Sequence, residues 1–230
     1  MTGSLSALVV AALAFVVSHI GLSAPGLRRP LIDRFGAAGF RAGYALLALA
    51  LLAWMSLAYG RAPVVDWWQP PVWARHLSLT LMPLATILVV AGLTTPNPSL
   101  AGAAPGMAAA GPQGVLKITR HPLMWGLALW GMAHLLATGD AAGSVFFGAL
   151  TLLALVGSLT QDRRKAADLG DAWAAYAAAT SWLPFRAMLA GRTRLTIGEL
   201  GWWRLAGGLA LYLLLLWLHP WLFGVDPLAV

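Results

Sequence analysis

Three histidines lie inside or at the edge of apolar runs, His19, His121 and His134. An imidazole in hydrocarbon is costly and marks a functional site by default, and neutral imidazole is the commonest protein ligand to metals. His121 and His134 bracket one run, from Ile118-Thr119-Arg120-His121-Pro122 through Trp125 and Trp130 to Leu136. Thirteen positions apart on a straight helix, they stand about 20 Å apart along the axis and roughly 140° apart around it, so they cannot share one metal. Two imidazoles from different helices of a bundle can instead hold haem iron axially, and His19 lies on a different run.

The surroundings refine this chemistry. Leu127, Trp130 and Gly131 share the helical face of His134, and the small residues Gly126, Gly131 and Ala133 let another helix or a flat ligand, such as a planar macrocycle, come close. Arg120 and His121 stand at a membrane interface. Proline suits the first helical position, so Pro122 marks a helix start whose free amides, with Arg120 and His121, offer a site for an anionic group such as a propionate or a phosphate. Asp140 and Asp162 read as turn or capping carboxylates, and His76 and His219 as interfacial. The chain has no Cys, which excludes thiolate metal sites, disulfides and cysteine nucleophiles.

The elements that position these residues are membrane helices. A chain of 230 residues that is 60% hydrophobic and 10% charged has the composition of a polytopic membrane protein. Runs long enough to cross ~30 Å of hydrocarbon fall at 4–23, 40–59, 76–95, 120–138, 143–161 and 201–219, so the expected fold is an all-α bundle of about six transmembrane helices in one domain. The turn at Thr138-Gly139-Asp140 makes the fourth and fifth spans an antiparallel hairpin. Residues 94–114, rich in Ala, Gly and Pro, read as an irregular connection, and 162–185 as an amphipathic segment at the membrane surface.

Of the 15 Lys and Arg residues, only Arg61 and Arg75 fall on one side of these spans. The positive-inside rule therefore puts the other side in the cytoplasm and both termini outside it. The net charge of +7 suits anionic lipid rather than nucleic acid. A bacterial inner membrane is the expected location.

Several motifs carry a resemblance that runs through nearly the whole chain: Ser18-His19-Ile20-Gly21-Leu22-Ser23, Ile118-Thr119-Arg120-His121-Pro122, Leu129-Trp130 with Ala133-His134-Leu135-Leu136, Asp162-Arg163-Arg164 and His219-Pro220-Trp221. They resemble NnrU-family membrane proteins, and that resemblance implies a link to denitrification and to nitrite and nitric oxide reductases. The same motifs are similar to the 15-cis-zeta-carotene isomerases, which hold a b-type haem. That likeness implies a haem b with His19 and His134 as axial ligands, Arg120, His121 and Trp130 near the cofactor, and a hydrophobic small molecule or NO as partner; His121 is the alternative partner of His19. A further likeness, from Arg120-His121-Pro122 to Pro184, is to isoprenylcysteine carboxyl methyltransferases. It implies S-adenosylmethionine binding, although the expected paired Glu is absent and Asp162 and Lys165 occupy its region.

Overall fold

The apolar runs become helices, as a chain must where no water is present to satisfy its backbone amides and carbonyls. The computed structural model describes residues 3–100, 103 and 106–229. It contains α1 (Leu5–Ser23), α2 (Pro25–Arg61), α3 (Val72–Thr94), α4 (Pro122–Thr138), α5 (Ala141–Leu169), α6 (Asp171–Ala179), α7 (Arg186–Leu189) and α8 (Trp202–Phe223), with 3₁₀ turns at Gly114–Lys117 and Ile197–Leu200. Among the described residues there is no strand. Helices α1, α2, α3, α5 and α8 are each long and apolar enough to cross a membrane. At 17 residues α4 is at the short end of the range for a span. The chain is an all-α helical membrane bundle.

Two boundaries differ from the hydropathy reading, and glycine is the reason in both. The run at 40–59 is the later part of α2, which begins at Pro25 and breaks at Gly36, where φ 72° and ψ 161° are conformations that glycine alone adopts without strain. Segment 162–185 is divided: its first residues prolong α5 to Leu169, Gly170 turns the chain at φ 53°, and α6 ends at Ala179 before an irregular turn.

The helices pack as a row, α8 on α3, α3 on α4, α4 on α5, α5 on α1 and α1 on α2. Van der Waals fit between small residues drives such contacts in lipid, where no hydrophobic force separates helix from solvent. Gly126 sits where a Cβ would meet Ala85 O at 2.8 Å, and Gly131 where it would meet Thr151 Oγ1. The groove expected beside His134 is thus closed at both glycines by neighbouring helices, α3 at one and α5 at the other. Ser78 Oγ donates to Ala133 O at 2.7 Å and fastens α3 to α4.

The two ends of the bundle differ in charge. At one end Asp140 caps α5 by accepting from the Gly143 amide at 2.8 Å, and the preceding Gly139 carbonyl accepts from Trp67 N at 3.0 Å. The other end gathers the cations: Lys117 pairs with Glu199 at 2.5 Å, Arg204 donates to Thr94 Oγ1 at 3.0 Å, Lys165 donates to Leu100 O at 3.1 Å, and Arg28, Arg29 and Arg164 line one cleft.

Candidate functional site

At the basic end, the residues leading into α4 are clamped from two sides. Arg120 N donates to Ser181 O at 3.0 Å, Phe185 N to Ile118 O at 2.8 Å, and Thr119 Oγ1 to Trp182 O at 2.8 Å. From the other side Ser99 Oγ donates to Arg120 O at 3.1 Å and Asn97 Nδ2 reaches the same carbonyl at 3.4 Å. Pro122 takes the first helical position, as its ring geometry favours. The clamp leaves Thr119 and His121 buried, with Arg120 and His121 turned toward α5.

There they meet Asp162. Arg120 Nε donates to the carboxylate oxygens at 3.0 and 2.9 Å, its NH2 group closes a two-pronged ion pair, and His121 Nε2 lies 2.6 Å from Asp162 Oδ1. An ionised carboxylate only accepts, so Nε2 carries the hydrogen. In the neutral ring Nδ1 is then a lone pair, and it is buried with no partner among the described residues. The Tyr176 hydroxyl from α6 is also buried without a partner among the described residues, and burial pushes its pKa above the ordinary phenol value. A carboxylate that orients an imidazole and leaves its far nitrogen free is the arrangement of a general base. A hollow of about 350 Å³ is bordered by Thr95, Asn97, Leu100 and Met107, of which Asn97 also reaches the Arg120 carbonyl.

Asp162 is the residue that reading by position misplaces, since it caps nothing. The hairpin would have located it: α4 descends from Pro122 to Thr138, α5 climbs from Ala141, and twenty-one residues up α5 the chain is back at the level of Arg120. The structure thus turns Arg120 and His121, expected to meet a propionate or a phosphate, onto an internal carboxylate. At the protein surface nearby, hydrogen bonds from Lys117 and then Thr196 hold the Glu199 carboxyl down at about 2.

The other two of these histidines are half-buried, each fixed the same way. His19 Nδ1 lies 2.7 Å from Phe15 O and His134 Nδ1 2.8 Å from Trp130 O. A carbonyl only accepts, so Nδ1 carries the hydrogen in both and Nε2 is left as a lone pair. The His19 ring contacts Phe15 and Tyr44. The His134 ring stacks on Phe147 at 4.6 Å, touches Trp130 at 4.8 Å and faces His219 at 6.5 Å. No ring is common to the two sets. His19 is near the basic end of α1 and His134 near the opposite end of α4, so the structure does not bring them together. His121 is in neither set.

The comparisons with known proteins fit this architecture. The family described as NnrU protein matches residues 7–227. The chain belongs to the NnrU family. Among curated proteins this NnrU-family chain is similar to the chloroplastic 15-cis-zeta-carotene isomerase of Zea mays, 35% identical over 82 residues, which is 36% of this chain and 22% of that protein. The Arabidopsis thaliana enzyme of the same name is 35% identical over 79 residues, 34% of this chain and 22% of that protein. The chain thus matches only about a fifth of the length of these curated relatives. No solved structure matches.

Proposed function

We propose that this NnrU-family chain is a bacterial inner-membrane protein that holds a b-type haem with His134 as an axial ligand and serves nitrogen-oxide metabolism as a redox or NO-responsive accessory protein. The observation that carries the reading is the state of the His134 ring: its Nδ1 hydrogen is committed to Trp130 O at 2.8 Å, which leaves Nε2 free. Metal-binding histidines characteristically donate their other ring hydrogen in this way. A bound haem supplies one-electron chemistry and an iron whose ligation responds to small molecules.

The chain's own part is to orient and to exclude water. Trp130 fixes the tautomer and Phe147 the ring plane, while Phe146, Phe147, Leu8, Ala12 and Phe15 form an apolar core that keeps the local dielectric low. His19 has the same locked tautomer, which makes it competent as a ligand through Nε2. With thirteen cations gathered at one end, that end faces the cytoplasm.

The test is the absorption spectrum of the detergent-purified protein, supplied with haem, before and after reductant and NO. A Soret band that shifts on reduction and again with NO supports the reading. A colourless preparation that stays empty contradicts it. The similarity to 15-cis-zeta-carotene isomerases favours a second reading, a haem-dependent cis-trans isomerase of a carotenoid-like polyene. Conversion of a cis-polyene by the haem-loaded protein decides between the two.

A further inference from the structure

At the basic end the chain passes from α1 to α2 through the single residue Ala24, and Pro25 opens α2. That tight reversal sets the first residues of α2 against the end of α5. Pro25, Arg28 and Arg29 from α2 and Arg164, Ala167 and Asp168 from α5 line one cleft there. Three guanidiniums and one carboxylate leave it with a net positive charge. Among the described residues no ion pair joins Asp168 to any of these arginines. Other cations of the same end are already engaged: Lys117 by Glu199, Arg120 by Asp162 and Arg204 by Thr94. Like charges gathered without partners repel one another, so the cleft is complementary to an anion.

The cleft also specifies the form of that anion. Arg28 and Arg164 are half-buried, and Arg28 is steadied over the Phe40 ring at 5.6 Å. A guanidinium presents its N–H donors as a planar fork that fits two oxygens of a phosphate at once, and partly buried charges are screened less by salt than exposed ones. The space enclosed is about 20 Å³, room for a group the size of one water. A phosphate therefore places one oxygen in the cleft and keeps its substituents outside. Depth identifies the bearer of that phosphate. The apolar run of α5 ends at residue 161, and at 1.5 Å per residue Arg164 stands about 5 Å beyond it. The headgroup layer occupies roughly 5–8 Å outside the hydrocarbon on each side. Of the residues of α2 only Met55 is buried, so the helix that carries Arg28 and Arg29 is otherwise open to acyl chains.

We propose that the cleft between the start of α2 and the end of α5 binds the phosphate of one anionic phospholipid, held by the Arg28 and Arg164 guanidiniums with Arg29 at the rim. Basic pockets between helices on the cytoplasmic side of a membrane protein take anionic headgroups in this way. The bound lipid neutralises the cleft and ties α2 to α5, two helices whose direct contact is slight. The site is separate from the haem reading and stands or falls without it.

The experiment counts lipids on the detergent-purified full chain by native mass spectrometry and follows its thermal midpoint, with phosphatidylglycerol, phosphatidylcholine and inorganic phosphate as probes. The proposal predicts one phosphatidylglycerol retained per chain, a midpoint raised by that lipid, and neither effect with phosphatidylcholine. Arg28→Gln with Arg164→Gln lowers the affinity for phosphatidylglycerol about tenfold or more and abolishes the rise in midpoint. Arg186→Gln with Arg194→Gln removes the same charge from exposed positions of the same end and leaves both unchanged. Arg28→Lys with Arg164→Lys keeps the charge without the fork and loses part of the affinity, which tests the site even where the glutamine pair does not fold. Equal losses in the two glutamine pairs, equal retention of phosphatidylcholine, or undiminished affinity in the lysine pair overturns the proposal. A midpoint raised by inorganic phosphate but not by phosphatidylglycerol assigns the cleft to a soluble phosphate and overturns the lipid.

Discussion

Asp162→Asn removes one negative charge and little else, because the amide keeps the shape of the carboxylate and its Oδ1 can still accept from His121 Nε2. It strips Arg120 of its counter-ion. Arg120 and Asp162 are each only 15% exposed at the side chain and His121 is 0% exposed, so solvent screening does not rescue the stranded guanidinium. Removing one partner of a buried ion pair costs about 3–5 kcal/mol. For a chain of this size each kcal/mol moves the midpoint by about 2–4 °C, so the expected fall is on the order of 6–20 °C. The assay is thermal unfolding of detergent-purified protein by fluorescence of its 12 Trp residues, at one fixed scan rate because membrane-protein unfolding is often irreversible. Arg120→Met combined with Asp162→Asn removes both charges and restores most of the loss, since an ion pair replaced as a unit is often near neutral. A single-variant midpoint within about 1 °C of wild type, or a double variant as unstable as the two losses added together, refutes the claim that this ion pair holds the α4–α5 hairpin closed at the basic end.

Three further outcomes follow from particular contacts. Gly131→Ala places a Cβ against Thr151 Oγ1 and lowers stability by about 1–3 kcal/mol; adding Thr151→Ala recovers it, because that hydroxyl has no partner of its own among the described residues, and no recovery in the double variant contradicts the packing assigned to α4 and α5. Tyr176→Phe removes a buried hydroxyl without a partner among the described residues and leaves the unfolding midpoint unchanged or higher, whereas a loss above about 1 kcal/mol shows that the hydroxyl binds something. The Glu199 carboxyl is depressed from 4.5 to about 2, so its stabilising contribution is present above pH 4.5 and fades as the pH falls through about 2. Its ¹³C carboxyl titration has a midpoint near 2 in the wild type and moves up toward 4.5 in Lys117→Ala; equal midpoints contradict the ion pair.

The fold was legible because hydrocarbon permits so few backbone solutions. Apolar length was enough to mark most of the spanning helices and the hairpin at Gly139, though not the early start of α2 at Pro25 or the division of 162–185 at Gly170. What local pattern missed depends on contacts between segments distant in the chain. Gly126 and Gly131 satisfy a helix and a flat ligand equally well as letters, and only the approach of Val89 and Thr151 shows which one fills the space. Asp162 looks like any residue at a span end until the hairpin is folded and carries it to Arg120 and His121. His219, read as interfacial from its position near a span end, lies near the end of α8 with its Nδ1 tied to Val225 O, a contact its neighbours in sequence do not announce.

The central claim is that His134 Nε2 holds iron, and the haem-to-protein ratio of haem-supplied wild type and His134→Ala tests it most directly. The account predicts a ratio near one for the wild type and near zero for a His134→Ala protein whose thermal midpoint shows it is folded. Equal haem content in the two proteins contradicts it.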